Sequence, residues 1–376
     1  MHAVNQRGLI AMMSLWLALG ACREQTATPH SVSLNRDRAT RVLVQDELQS
    51  ARQLRLADSP LLTVGGLAKD TSIELRHSNG FLNAAPSTNG ELAIIELDRL
   101  RFFGADGVHR ISLGRQGSGP NEFRGLSHAC RSRGDTVVAY DYGLRRLTIA
   151  TSDGRWVRQI PVEKIGQLPA DGCLADGRII LKPFAGSADA TIHLLTLQGE
   201  VVARINADYD TDPNRRITVF ARGREVWRAD PLQQEVIGLD QGGHVVRILT
   251  LRDALKRMTD AEALANSPEG ARAGSRPKSG DVISAKPTYW PLFESAKDGG
   301  DRIWFEETVR DGGFAPSVWY AVGDDGRLVG KLSLRFDGDI VPPVVVRFQG
   351  DSVWLLRRNA EGIATFSLYR ILGQSR

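Results

Sequence analysis

The sequence predicts an all-β fold, a six-bladed β-propeller with a short helical and flexible insertion between blades four and five, on three observations. Turn glycines recur at Gly90, Gly134, Gly177, Gly223, Gly300 and Gly350, in steps of 44, 43, 46, 77 and 50 residues. The third and fourth residues after each are apolar: Ala93 and Ile94, Val137 and Val138, Ile180 and Leu181, Val226 and Trp227, Ile303 and Trp304, Val353 and Trp354. Adjacent residues of a strand point to opposite faces, so both faces of these sheets must be covered. Hairpin-type turns then follow in several units, at Asp106-Gly107, Asp153-Gly154, Gln198-Gly199, Gln241-Gly242 and Asp325-Gly326. A sandwich, the alternative, buries one face of each sheet and would show stronger polar alternation.

Taken in order, the chain opens with Arg7 and an uncharged apolar run from Gly8 to Ala21. The run is too short to span a bilayer, so residues 1–21 read as a secretory signal. Its end, Leu19-Gly20-Ala21-Cys22, resembles a bacterial lipobox. That resemblance implies cleavage before Cys22, diacylglycerol on its sulfur and a fatty acyl group such as palmitate on the new amino terminus. Arg23 stands where aspartate would retain such a protein at the inner membrane, so the implied address is the outer membrane, facing the periplasm. Each buried methylene adds about 0.8 kcal/mol of membrane affinity, and several chains together anchor firmly. Residues 22–58 are polar and read as a lipid-anchored flexible tether, and residues 59–376 as the propeller.

The last unit holds clear material for only three strands. An upstream segment, "LLTVGG" from Leu61 to Gly66 or "TRVLVQ", is expected to supply the fourth and close the ring. The long step of 77 contains the insertion, residues 252–286. Its first half, "RDALKRMTDAEALAN", is helix-like, with Thr259 and Glu262 at capping-box spacing. Its second half is basic and rich in Gly, Ser and Pro. Insertions in repeat proteins gather on one face and often form binding surfaces.

The stretch "GRQGSGPNEF", Gly114 to Phe123, follows the strand-like "VHRISL" and lacks the helix and lysine that a phosphate-binding loop needs. It resembles the "GRxGxGPGEF" connector of bacterial six-bladed, NHL-like propellers. The matching residues are Gly114, Arg115, Gly117, Gly119, Pro120, Glu122 and Phe123, with Asn121 in place of the usual glycine. The resemblance implies a structural link from the outer strand of one blade to the inner strand of the next. The glycines permit positive φ, Pro120 stiffens the exit, and Phe123 fills an interblade groove. Glu122 accepts hydrogen bonds from backbone or from Arg115; a catalytic or metal-binding carboxylate is the sharper alternative.

Other chemistry is sparse. Forty-eight Lys and Arg against 44 Asp and Glu give a formal charge of +4, and no basic run marks a nucleic-acid binder. The histidines at 2, 30, 77, 109, 128, 193 and 244 form no local zinc pattern, and only His128, just past the connector, invites attention. No G-x-S-x-G elbow occurs, and the S-x-x-K at Ser275–Lys278 contains Pro277. Trp227, Trp304 and Trp354 share one register and read as interblade core, while Asp141 and Asp230 read as turn caps.

Cys130 and Cys173 occupy comparable places in successive units and are candidates for a disulfide, which an oxidising compartment permits; two buried thiols are the other reading. No catalytic residue, metal ligand or cofactor is assigned. The expected role is that of a monomeric binding or scaffold module for a protein, peptide or glycan partner. The alternative is a metal-dependent hydrolase or lyase, lactonase-like, with one divalent ion such as calcium held in the channel by carboxylates from different blades.

Overall fold

The structure, a computed structural model, describes residues 30–33, 39–44, 48, 51–66, 75, 83–96, 98–133, 136–163, 168–182, 191–206, 217–231, 233–251, 293–307, 317–337, 339 and 343–373. The signal, Cys22 and the insertion at 252–286 lie outside the described residues. Four short strands come first: β1 (His30–Ser33), β2 (Thr40–Val44), β3 (Gln53–Leu56) and β4 (Leu62–Gly65). The rest is a succession of antiparallel four-strand meanders. The first is β5 (Asn83–Pro86), β6 (Leu92–Ile95), β7 (Leu100–Phe103) and β8 (His109–Leu113). The second is β9 (Leu126–Ser132), β10 (Thr136–Asp141), β11 (Arg146–Thr151) and β12 (Trp156–Pro161).

The third is β13 (Leu168–Cys173), β14 (Ile179–Lys182), β15 (Thr191–Leu195) and β16 (Val201–Asn206). The fourth is β17 (Thr218–Arg222), β18 (Glu225–Asp230), β19 (Glu235–Leu239) and β20 (Val245–Leu251). The fifth is β21 (Phe293–Asp298), β22 (Arg302–Glu307), β23 (Ser317–Gly323) and β24 (Leu328–Leu334). The last has three strands in sequence, β25 (Val344–Gln349), β26 (Ser352–Arg358) and β27 (Ala364–Gly373), and β4 pairs antiparallel with β27 as its fourth. The segment "LLTVGG" thus completes the final sheet, whereas "TRVLV" does not.

Apolar clusters lie between neighbouring meanders because each sheet offers two apolar faces. Phe123, Phe102, Leu113, Val137 and Ala150 join the first two, and Trp227, Phe293 and Phe305 join the fourth and fifth. Trp304, Trp319, Phe348 and Tyr369 join the fifth to the last. Val64, Ile94, Phe103, Trp354 and Phe366 join the last to the first, so the sheets close into a ring. The fold is a β-propeller. Trp227, Trp304 and Trp354 are all buried in these interfaces, as core.

The tether expectation is corrected for the residues described. β1 adds parallel to β16, β2 parallel to β20, and β3 is parallel to β24 on one side and antiparallel to β27 on the other. The segment runs as a belt around the rim of the propeller. Its strands bond to the backbone groups that the outer strands of a propeller otherwise leave open. Gly330 permits the approach of β3, since a Cβ there would fall 2.7 Å from Leu54 Cγ and 2.9 Å from the Arg52 carbonyl oxygen.

The outer strands share a bulge, at Arg110, Val157, Val202, Val246 and Val329, each skipped by the register of the pairing with its neighbour. The belt strands begin one or two residues beyond it, at Ala203, Arg247 and Lys331. Four residues past the bulge, the capped strands β16 and β20 carry Asn206 and Thr250, paired with Ser33 and Leu43. The same place after β8 and in β12 is taken by Gly114, at φ 84°, and Pro161. A left-handed glycine bends the chain out of the strand and proline removes an amide donor, so these two rims are blunted where those of β16, β20 and β24 are covered.

Candidate functional site

The inner strands β5, β9, β13, β17, β21 and β25 each contribute to the wall of one central cavity of about 40 Å³. Its wall is divided. Ala84, Ala85, Pro86, Ala129, Cys130, Gly172 and Cys173 make one side small and apolar, while Lys297, Asp298 and Arg347 make the other charged. Such a volume holds about three waters. Sites for small organic ligands are typically ~300–1,000 Å³.

Cys130 and Cys173 are joined in a disulfide with Cα atoms 5.5 Å apart, linking β9 to β13 on the apolar wall. On the charged wall, Asp298 sits at the end of β21. The amide of Gly300 donates to its Oδ1 at 2.9 Å, and Arg222 Nε donates to the same oxygen at 3.2 Å. Burial pushes the Asp298 carboxyl above the usual aspartate range, opposed by the Gly300 amide and by Arg222 and Arg347. Arg222, only 8% exposed, also donates to Asp324 and, from Nη2, to the Gly300 carbonyl at 3.0 Å, with its guanidinium 5.2 Å from the Trp227 ring centre. Among the described residues no group of three or more His, Cys, Asp or Glu side chains is placed to hold a metal.

The connector leaves β8 and enters β9. Glu122 accepts from the Gly119 amide at 2.8 Å and from Arg115 Nε at 2.9 Å. The Gly119 amide, then Arg115, holds its carboxyl below the usual glutamate range. The amide of Phe123 donates to the Arg115 carbonyl at 2.8 Å and that of Gly117 to the Phe123 carbonyl at 3.0 Å, closing the loop on itself. Asn121 takes φ 61°, where the resembled motif has glycine. Phe123 is fully buried, its ring 5.4 Å from that of Trp156 and close enough to Gly114 that a Cβ there would strike it. Glu122 lies on this loop, among backbone amides and Arg115, and is not part of the cavity wall.

Asp141 caps its turn by accepting from the Leu144 amide at 3.0 Å, and Asp230 does the same for Gln233 at 3.1 Å. His128 shares a hydrogen bond of 3.0 Å with Ser127 Oγ. Sequence reasoning missed the Arg222–Asp298–Asp324 cluster and the cations Lys297 and Arg347. Its only local signal was charge inside or at the end of inner strands, as in "TVFAR" and "FESAKD".

No protein-family model matches the sequence, and no curated protein matches it. Among solved structures, a Bacteroides fragilis protein described as exported aligns with a TM-score of 0.52 at 11% identity, covering 92% of this chain and 100% of that one. A catalytically inactive virginiamycin B lyase from Staphylococcus aureus, solved with quinupristin, aligns at 0.46 and 11% identity, over 86% of this chain and 96% of that one. The WD40 domain of Pan2 from Neurospora crassa aligns at 0.40 and 11% identity, over 79% and 90%. At 11% identity, what the chain shares with the first of these is the fold.

Proposed function

We propose that this chain is an exported, six-bladed β-propeller of the NHL-like lipoprotein kind, anchored to the outer membrane through Cys22, that binds a protein, peptide or glycan partner by its surface. The count of six is supported by the six inner strands that contribute to the wall of one cavity. The carrying observation is that cavity: about 40 Å³ is far below the volume typical of small-ligand sites, and the one carboxylate among the described residues of its wall is held by Arg222 and Gly300. A lactonase-like hydrolase is the second reading, favoured by the raised carboxyl of Asp298 on the channel wall. Against it, Lys297 and Arg347 share that wall and repel a divalent cation.

The test is fractionation of bacteria producing the full chain, together with turnover assays on the purified protein. The reading expects the wild type in the outer-membrane fraction, Cys22→Ala in the soluble fraction, and no hydrolysis of lactones or esters. A soluble wild type overturns the anchor, and turnover abolished by Asp298→Ala overturns the binding role.

A further inference from the structure

At the connector end of the second meander, two loops are pinned together and present four exposed side chains. Arg115 and Arg124 come from the segment entering β9, and Tyr142 and Arg145 from the turn between β10 and β11. Asp141, fully buried, holds both loops, accepting from the Arg124 amide at 2.9 Å and from the Leu144 amide at 3.0 Å. The Tyr142 amide donates to the Gly125 carbonyl at 2.9 Å, and Arg146 Nη2 reaches the Gly119 carbonyl at 3.2 Å and that of Glu122. Phe123 on Trp156 floors the arrangement. The scaffold is rigid, yet Arg115 is 80% exposed and Tyr142 55%.

Two further facts mark the surface. Only three non-glycine residues among those described take positive φ, and Asn121 (61°) and Arg145 (47°) lie in these two loops; the third, Gln234, occupies the matching turn of the fourth meander. The turn geometry demands a left-handed residue, and arginine serves there less well than glycine or asparagine, so the conformational penalty places a cation at this spot. The surface is also cationic. Arg115, Arg124 and Arg145 are all exposed here, and the Glu122 carboxylate on the same loop is already taken by Arg115 and the Gly119 amide. Exposed Tyr and Arg on a rigid base are the composition of interface hot spots, and the guanidinium fork matches a carboxylate.

We propose that the Arg115, Arg124, Tyr142 and Arg145 surface docks an acidic, extended segment of a protein partner. A lipid surface fits less well. His30, where the described chain begins, pairs with Ala203 beside the β15–β16 turn, at the end of the strands opposite the connector. A chain anchored upstream of His30 enters from that far end. The inference rests on the binding reading for the partner's existence and names its chemistry and its site.

The probe is a fluorescein-labelled peptide alternating glutamate and valine, titrated onto the soluble form beginning at Arg23, with a lysine-valine peptide as control. Binding is expected for the acidic peptide alone and weakens as salt rises. The Arg124→Glu, Arg145→Glu double variant is expected to lose about tenfold in affinity or more. Arg145→Gly separates the proposal from a structural role: it relieves the left-handed backbone and raises Tm, while affinity falls. Absence of acidic-peptide binding, equal binding of the lysine peptide, or affinity unchanged in both variants overturns the proposal. Arginine-dependent binding to phosphatidylglycerol vesicles without peptide binding also overturns it, in favour of lipid. Should Cys22→Ala remain membrane-bound while the peptide results hold, the anchor fails and this site stands.

Discussion

Arg222 Nε stands 3.2 Å from Asp298 Oδ1, an ion pair that ties β17 to β21 across two neighbouring sheets at the channel wall. Arg222 also holds Asp324, on the turn after β23, so one guanidinium serves two carboxylates and a carbonyl. Arg222→Ala leaves Asp298 half-buried without its cation and is expected to cost about 3 kcal/mol in urea unfolding. The pH dependence has a definite sign. Because burial raises the Asp298 carboxyl, the folded chain holds that proton longer than the unfolded one. The stability contributed by this group therefore falls as pH climbs from the ordinary aspartate value of 3.8 through the raised one. Asp298→Asn should remove that slope between the two values, as read by urea midpoints across an acid series.

Glu122 should show the opposite sign. Its carboxyl is held below 4.5 by the Gly119 amide and Arg115, so its contribution is full above that pH and is lost as pH falls through the depressed value. Glu122→Gln is expected to lower Tm at neutral pH and to flatten that part of the acid limb. An unchanged Tm would mean that the loop holds its shape through backbone bonds alone.

The disulfide between Cys130 and Cys173 closes a loop over a sequence separation of 43. Chain entropy assigns a link of this length about 4 kcal/mol. Reduction, or the double substitution to serine, should lower the urea midpoint accordingly without changing the far-ultraviolet circular dichroism.

The belt makes a prediction about order of importance. A chain beginning at Gln45 lacks β1 and β2 but keeps β3 and β4. It should stay folded, with faster hydrogen exchange confined to β16 and β20, whose outer edges it uncovers. A chain beginning at Gly66 also lacks β4, the strand that completes the last sheet. It should lose cooperative unfolding altogether.

Much of this architecture was legible in the chain because it is local. Each meander announces itself by a turn glycine and an apolar pair, and the need for a closing strand followed from the shortage in the last unit. The belt was not legible. "TRVLV" and "QLRL" are short, and β1, "HSVS", is polar in three of its four residues; their stability comes from bonding to finished edges elsewhere in the ring, not from their own pattern. The charged wall was hidden for a similar reason, since Arg222 and Asp298 are 76 residues apart and Arg222 and Asp324 are 102. The connector was read from its sequence. The αL place of Arg145 was not, because nothing in "DYGLRR" distinguishes which residue after the glycine bends left-handed.

The measurement that bears most directly on the central claim, a propeller that binds by its surface and not by a channel metal, is the metal content of the form beginning at Arg23, purified without chelator and read by elemental mass spectrometry. Calcium requires about six to eight oxygen ligands, and among the described residues the cavity wall offers one carboxylate beside Lys297 and Arg347. The account predicts no stoichiometric divalent ion, even after incubation with calcium, zinc or manganese. About one tightly held ion per chain, lost in Asp298→Ala, would contradict it and return the channel to the centre of the function.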